Sequence, residues 1–378
     1  MTRPIRMAFV GLGSCLQTMF GPVLRLAEGL EVVAVVDSSA ERLVEAREMY
    51  GLDNGYLSLD ECLEKEELDA ALIGTPVFEH VGHAVACAER GVHVLLEKPM
   101  ARSPRECDEI IDAHAKAGTV LMMAFMKRFN RSMRKVTELI EGGAIGAVMG
   151  IRHNWDWGPD ESGWVDPGWR GSVRTWGGQW QDHGSHSVNL SQWWAGPIRS
   201  VTAFFDITGP YPEVENDYIV VCTHESGARS THAATRYFHR RGEERYLVFG
   251  ETGTVETRHE ADVFRYTTPH EIRLHRYGRV EENHRPKHSR NWQVESEQYS
   301  QYKVELEHFV ACVRHGKTPM TDGAMGRAAV EVTSAAYLSA LERREVTLPL
   351  TKEPDYEYFF RNVAPQRTPA RYAGHVRT

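Results

Sequence analysis

A chain of 378 residues exceeds one typical domain, so two domains are expected, and a core can form without disulfide or metal staples. With 42% hydrophobic, 25% charged and 10% aromatic residues, it is composed like an ordinary globular protein, which excludes a largely disordered or fibrous chain. The formal net charge of -8 sets most of the surface against phosphate backbones and anionic membranes, so neither nucleic acid nor membrane is expected as a partner, and a small molecule is the natural ligand.

From Ile5 to about Phe125, short apolar runs alternate with amphipathic stretches, the pattern of helices crossing between parallel strands. Strands are predicted at Ile5 to Val10, Glu31 to Val36, Ala70 to Ile73, Val92 to Leu96 and Val120 to Ala124, with helices near Ala40 to Met49, Glu79 to Arg90 and Pro104 to Ala117. Strands this apolar must be covered on both faces, so residues 1–125 read as a doubly wound, Rossmann-type dinucleotide-binding domain. Gly11-Leu12-Gly13 follows the first strand, where glycines let the backbone turn tightly and approach a pyrophosphate at a helix N-terminus. Leu16 stands where a third glycine would, and Pro22 is expected to kink or interrupt the first helix. Asp37 ends the second strand, where a carboxylate hydrogen-bonds the ribose hydroxyls and repels a 2′-phosphate. NAD is therefore expected over NADP, although Ser38, Ser39 and Arg42 could cradle a phosphate.

After Lys127 the texture turns rich in Trp, His, Arg and Gly, then to alternating segments such as Tyr218 to Thr223 and Arg245 to Phe249. These predict a large, open, mainly antiparallel sheet with one covered face. Helical texture returns between Gln298 and Arg343, with Leu306, Phe309, Val310 and Val313 on one face and a second helix from about Ala324 to Leu341. The expected class is α/β: domain 1–125, a substrate-binding and oligomerisation domain over 126–350, and an extended C-terminal arm over 351–378.

Cys15, Cys62, Cys87, Cys107, Cys222 and Cys312 are scattered, with no C-x-x-C pair and no zinc-finger spacing. They read as reduced thiols of a cytoplasmic protein, and no metal is expected. Arg3 and Arg6 precede the apolar Met7 to Val10, but Gly11, Gly13 and Ser14 break the run, so export is not expected. The longest apolar runs, such as Val120 to Met126, fall far short of the roughly 20 residues a bilayer requires.

Gly74-Thr75-Pro76 with His80 follows the Ala70 to Ile73 strand, and Glu97-Lys98-Pro99 ends the next. With Gly11-x-Gly13 and the later Gly177-Gly178-x-x-x-Asp182-x-Gly184-x-His186, they make the chain resemble the glucose-fructose oxidoreductase and inositol dehydrogenase (Gfo/Idh/MocA) family from about Ile5 to Pro349. The resemblance implies an N-terminal Rossmann domain, a C-terminal α/β domain whose open sheet often forms the oligomer interface, and an active site between them; the exposed sheet face and the C-terminal arm suggest a homodimer or homotetramer. It places Gly11, Leu12, Gly13, Asp37, Ser38, Thr75, Pro76, His80, Glu97 and Lys98 at the cofactor. Trp169 joins them, because the family often carries Trp-Arg shortly before the glycine pair. The missing third glycine and the dense Trp/His segment from Arg152 to His186 depart from the family's pattern.

The residues themselves suggest the chemistry. Lys98 sits at the C-terminal edge of a parallel strand, where its charge can stabilise the alkoxide formed as a carbinol gives up hydride. Asp182 and His186 are four apart, so on a helix they share a face. His186 is the expected general base, since an imidazole titrating near 6.5 takes and returns a proton at neutral pH. Asp182 would orient His186 or bond a neighbouring substrate hydroxyl. A metal on this pair, with His183 as third ligand, is the rival, but no Glu or Cys completes it at a suitable spacing. Trp155, Trp157, Trp164, Trp169, Trp176 and Trp180 offer flat platforms for sugar rings or nicotinamide, or else pack in the core. The expected substrate contacts are Lys98, Lys127, Arg128, Trp157, Arg170, Asp182, His183 and His186, with Arg174 nearby. Basic stretches at Arg236 to Arg245 and Arg273 to Arg290 read as solvated loops or subunit contacts, with anion binding as the alternative.

These features point to an NAD-dependent oxidoreductase acting on a secondary hydroxyl of a cyclic polyol, sugar or glycoside. Two alternatives use the same residues differently. One is an NAD-dependent glycosidase working by transient ring oxidation, elimination, hydration and re-reduction, possible on an anionic sugar; the other is a non-catalytic NAD-binding sensor.

Overall fold

The structure, a computed structural model, describes residues 3–13, 19–24, 26–156, 168–208, 213–235, 242–260, 271–284, 301–364 and 366–367. Its contacts divide the chain into two units, Met1–Asn130 with His288–Val330, and Arg131–Lys287 with Glu331–Thr378.

The first unit is built on a parallel sheet of β1 (Ile5–Val10), β2 (Leu30–Val36), β3 (Gly55–Tyr56), β4 (Ala70–Ile73), β5 (His93–Leu96) and β6 (Leu121–Met123). Its order is β3-β2-β1-β4-β5-β6, the Rossmann order. The switch point therefore lies between β1 and β4, whose C-terminal ends carry Gly11 and Gly74. Met7, Ala8, Phe9 and every residue of β4 are fully buried, because helices cover both faces. Local sequence sets the helix ends. Ser39 caps α1 (Ala40–Tyr50) by accepting the Arg42 N–H, and Ser103 does the same for α4 (Pro104–Ala117), which opens on Pro104 and closes on left-handed Gly118. Between them lie α2 (Leu59–Lys65) and α3 (His80–Glu89). Pro22 stands in the first turn of a short 3-10 helix, Gly21–Val23, as its missing N–H favours.

The second unit holds α5 (Arg131–Glu141), β7 (Val148–Asp156), α6 (Ser185–Ala195), β8 (Ile198–Thr208), β9 (Asp217–His224), β10 (Arg229–Thr235), β11 (Glu243–Gly250), β12 (Thr254–Glu260), β13 (Glu271–Arg276) and β14 (Arg279–His284). They form a large mixed sheet in the order β14-β13-β12-β11-β7-β10-β9-β8, antiparallel except where β10 lies parallel to β7. One face is covered. Met133, Val136 and Leu139 of α5 and Leu190 and Trp194 of α6 pack with Ile151, Tyr246, Val248, Val255, Ile272 and Leu274 of the strands. On the other face Phe204 and Ile219, cross-strand partners in register, are 67% and 52% exposed.

Two expectations are corrected by packing. Residues 126–350 do not form one contiguous domain: α7 (Gln301–His315) and the first turns of α8 (Gly323–Glu342) belong with the Rossmann unit. The edge of β6 explains the return, since Met123 N–H donates to Thr321 O and Thr321 Oγ1 donates to Met123 O, each at 2.7 Å, and the strand edge is thereby closed. The arm is not extended at its start. Tyr356–Tyr358 (α9) and the π-helical Phe359–Val363 dock through buried Tyr356, Phe359 and Phe360 onto Tyr337 and Phe205, and Gln366–Arg367 pairs with β8. Burying three aromatics outweighs the Pro/Arg character of the surrounding sequence. Residues 368–378 lie outside the described residues.

Candidate active site

In the Rossmann unit the site grows from three strand ends. Gly11 has φ +86, and a Cβ there would lie 2.8 Å from Thr75 N and 2.9 Å from Gly74 C, so only glycine lets the turn after β1 pass this close to the turn after β4. A Cβ on Gly13 would meet no described atom within 4 Å, so packing within the described chain does not demand this second glycine. Asp37, buried at the end of β2, accepts Leu12 N–H on Oδ2 at 2.7 Å and Ser39 N–H on Oδ1 at 2.8 Å, with Arg42 3.7 Å away. Its carboxylate is thus aimed by the backbone of the glycine turn on one oxygen and of the α1 cap on the other, and Leu12 enters the site through its N–H. Ser39 and Arg42 already serve the α1 cap and Asp37, while Ser38 is exposed. Leu16 lies outside the described residues.

His80, expected at the cofactor, is 1% exposed and is used between two loops. Its Nε2 lies 2.9 Å from Thr75 O, and its Nδ1 3.0 and 3.2 Å from Pro99 O and Met100 O. Burial pulls its pKa down to about 4 against the pull of those carbonyls, so at pH 7 the neutral ring donates its one N–H to the carbonyls on one side and packs between the loops that follow β4 and β5. The Thr75 hydroxyl meets His83 Nδ1 at 3.2 Å, and Pro76 leads into the 3-10 turn Val77–Glu79. Glu97 donates its N–H to Ile73 O and accepts Lys98 N–H on Oε2 at 3.1 Å, which sets Lys98, half-buried, at the C-terminal end of β5 before a cis Pro99. Lys127 and Arg128 sit in the 3-10 helix Met126–Phe129, each 5% exposed, and burial lowers Arg128 to about 10 against the pull of Asp322.

In the second unit, the turn at Gly177-Gly178 leads into a π-helix, Trp180–Gly184, and then α6. Single π turns inside helices concentrate at functional sites, and this one carries Asp182 and His183, with buried His186 just beyond it on α6. Gly184 is obligatory because a Cβ there would overlap the Trp180 indole. Asp182 Oδ2 lies 3.4 Å from Arg170 Nε and 3.5 Å from His183 Nε2, and the His183 ring stacks on Trp155 at 4.1 Å. Arg170, Asp182 and His183 are therefore brought together as one polar cluster. Asp182 and His186 share a continuous helical segment, but it is α-helical only from Ser185 onward.

The tryptophans divide. Trp155 and Trp180 are core residues, and Trp176 stacks on Tyr356 at 4.4 Å, so these three serve packing. Trp157, Trp164 and the Trp169 side chain lie outside the described residues. Arg245, Arg273 and Arg276 pair with Glu256, Glu271 and Glu281, as solvated strand residues do. Arg236, His239, Arg240, Arg241 and residues 285–290 lie outside the described residues. Five described cysteines are buried and in no disulfide, and burial pushes Cys62, Cys87 and Cys222 up to about 12, where thiols are inert. Sequence reasoning missed Glu215, Tyr337 and Tyr356, which surround the Gly177-Gly178 turn from distant parts of the chain. No local pattern announces them.

Residues 5–125 match a family model described as the oxidoreductase family, NAD-binding Rossmann fold, and residues 133–256 match the GFO/IDH/MocA C-terminal domain. The chain belongs to the Gfo/Idh/MocA family. It is 26% identical over 352 residues to a myo-inositol 2-dehydrogenase of Thermotoga maritima, covering 91% of this chain and 98% of that protein. It is 25% identical to a D-apiose dehydrogenase of Paraburkholderia graminis, covering 85% and 84%. Among solved structures, the WlbA dehydrogenase of Bordetella pertussis, in complex with NADH and UDP-GlcNAcA, superposes with a TM-score of 0.78 at 25% identity, covering 92% and 99%. The protein is accordingly an oxidoreductase of this family with an NAD-binding Rossmann domain. Among the described residues no helix is long and apolar enough to cross a membrane.

Proposed function

We propose that the protein is an NAD-dependent dehydrogenase that oxidises a secondary hydroxyl of a cyclic polyol or sugar. The observation that carries this reading is the cluster of Asp182 and His183 on the π turn with Arg170 of the preceding 3-10 helix, and His186 following it: hydrogen-bond donors and an acceptor grouped as a polyhydroxylated ligand requires. The names of the relatives, an inositol and an apiose dehydrogenase, support the substrate class.

The residues present fit NAD. The Gly11 turn leaves the backbone close to the strand end, and Asp37 presents a carboxylate aligned by Leu12 and Ser39 N–H groups. Gly11, Leu12, Gly13, Asp37, Thr75 and Pro76 would hold it, with Ser38 and Trp169 at its margin and His80 acting through the loops it clamps. When bound, NAD supplies the hydride acceptor. His186 takes the hydroxyl proton as the carbonyl forms. Lys98 stabilises the oxygen as it gains negative charge, and Glu97 holds the Lys98 backbone. Asp182 accepts from a neighbouring hydroxyl, and Arg170 and His183 fix its carboxylate. Lys127 and Arg128, being buried, support the turn after β6.

The test is to incubate the protein with NAD and a panel of inositols, hexoses, sugar acids and chromogenic glycosides while following nicotinamide absorbance and aglycone release. Stoichiometric NADH, reduced on the order of 10²-fold or more in His186→Ala and in Lys98→Ala, is expected. Aglycone release without accumulating NADH would mean a redox-cycling glycosidase, and silence in both channels would mean a sensor. We further propose a cytoplasmic homodimer or homotetramer joined through the open sheet face that presents Phe204 and Ile219.

A further inference from the structure

Glu215 lies two residues before β9 and is fully buried. Its Oε1 accepts two hydrogen bonds, from Trp180 N–H at 2.7 Å and Tyr337 O–H at 2.8 Å, and no described residue offers Oε2 a partner. Its backbone carbonyl accepts Gln179 N–H at 3.1 Å. Its carboxyl lies against Gly178, where φ is +125 and a Cβ would stand 2.6 and 2.7 Å from the two oxygens. One glutamate therefore holds Gly178, Gln179 and Trp180, the three residues from which the π turn starts. Asp182 N–H donates to Gly178 O at 3.0 Å, and Gly178 N–H donates to Arg170 O at 2.9 Å, so the Asp182 and Arg170 backbones are both tied to the residue this carboxyl packs on.

We propose that Glu215 is the positioning residue that fixes the turn carrying Asp182 and His186. Both donors converge on Oε1, which leaves Oε2 as the oxygen bearing the proton. The groups facing it are Tyr337 of α8, Tyr356 of α9 and the Trp180 N–H; no cation or second carboxylate among the described residues shifts it. Burial pushes the carboxyl up to about 8, outweighing the Trp180 N–H, the Tyr337 O–H and its own backbone N–H, which favour its charged form. Burial also holds Tyr337 and Tyr356 well above the usual phenol range, so Glu215 is the member of this group that titrates near neutrality. Loss of its proton leaves a buried charge with no counter-ion among the described residues, and the local structure must open to hydrate it. The turn is then released as pH rises through about 8.

The inference rests on the reading that Asp182 and His186 serve catalysis, and its test separates the two. Deuterium uptake of peptides spanning 178–186 is compared between the wild-type protein and Glu215→Gln, whose amide oxygen accepts the same two bonds without titrating. Wild-type uptake should match the variant near pH 6.5 and exceed it by about tenfold near pH 9, intrinsic exchange cancelling in the ratio. Glu215→Ala should lower kcat by about tenfold or more with little change in KM, and Glu215→Gln should recover most of it. A wild-type/Gln uptake ratio that stays constant with pH overturns the neutral-acid strut. A kcat unchanged in Glu215→Ala overturns the positioning role. A pH-dependent uptake ratio with no dehydrogenase activity in any of the three proteins upholds the strut and refutes the proposed reaction instead.

Discussion

Removing the His80 clamp should change the acid sensitivity of the Rossmann unit in a calculable way. The ring titrates at about 4 in the folded chain and near 6.5 when unfolded, because burial outweighs the Thr75, Pro99 and Met100 carbonyls and His83 adds to the lowering. A base with a depressed folded pKa leaves stability complete above about 6.5; stability is lost as pH falls from there to about 4, where the unfolded chain binds a proton that the folded chain refuses. At about 1.4 kcal/mol for each pH unit of separation, the loss is about 2 kcal/mol at pH 5 and about 3 kcal/mol at pH 4. His80→Gln can still donate to one of the carbonyls but does not titrate. The variant is expected to be less stable than wild type at pH 7.5, with that deficit shrinking by about 2 kcal/mol at pH 5. Thermal or urea unfolding of both proteins across this range measures it, and the other buried histidines cancel in the difference. Parallel stability curves from pH 7.5 to 5 would refute a neutral, buried His80.

Gly11→Ala combines a strained φ with a Cβ against Thr75 N and Gly74 C, and should cost about 2–4 kcal/mol of stability together with most of the NAD affinity; an unfolding midpoint within a degree of wild type would contradict the close approach. Asp37→Ala removes the acceptor for the Leu12 and Ser39 N–H groups and the carboxylate that opposes a 2′-phosphate, so the ratio of kcat/KM for NAD over NADP should fall by about tenfold or more, and an unchanged ratio would take cofactor choice away from Asp37. Phe204→Asp combined with Ile219→Asp should halve the mass found by light scattering if the open sheet face is the subunit contact, whereas a wild-type monomer would remove that reading at once.

What was legible in the sequence was whatever a short stretch of chain decides by itself. β1 and β4 are apolar throughout, and a strand that must be covered on both faces can hardly hide, so their positions emerged from composition alone. Ser39 and Ser103 begin their helices with their own side chains. By contrast, Gly55–Tyr56 with α2 escaped notice, because a two-residue strand has no period and seven helical residues carry little signal. The π turn at Trp180–Gly184 also has no periodic signature, since it is set by packing of Trp180 against Gly184 and by the Glu215 carboxyl from 35 residues away. The site divides along the same line. Asp37 is conspicuous in the sequence because it follows a strand at a fixed place in the Rossmann order. His80 stands out in the sequence for its motif, but only the fold reveals that Thr75 and Pro99 lie on either side of its ring. Glu215 has no signal in the sequence because a buried acid is recognised by its burial and by the charges around it, and both are set by residues remote in the chain.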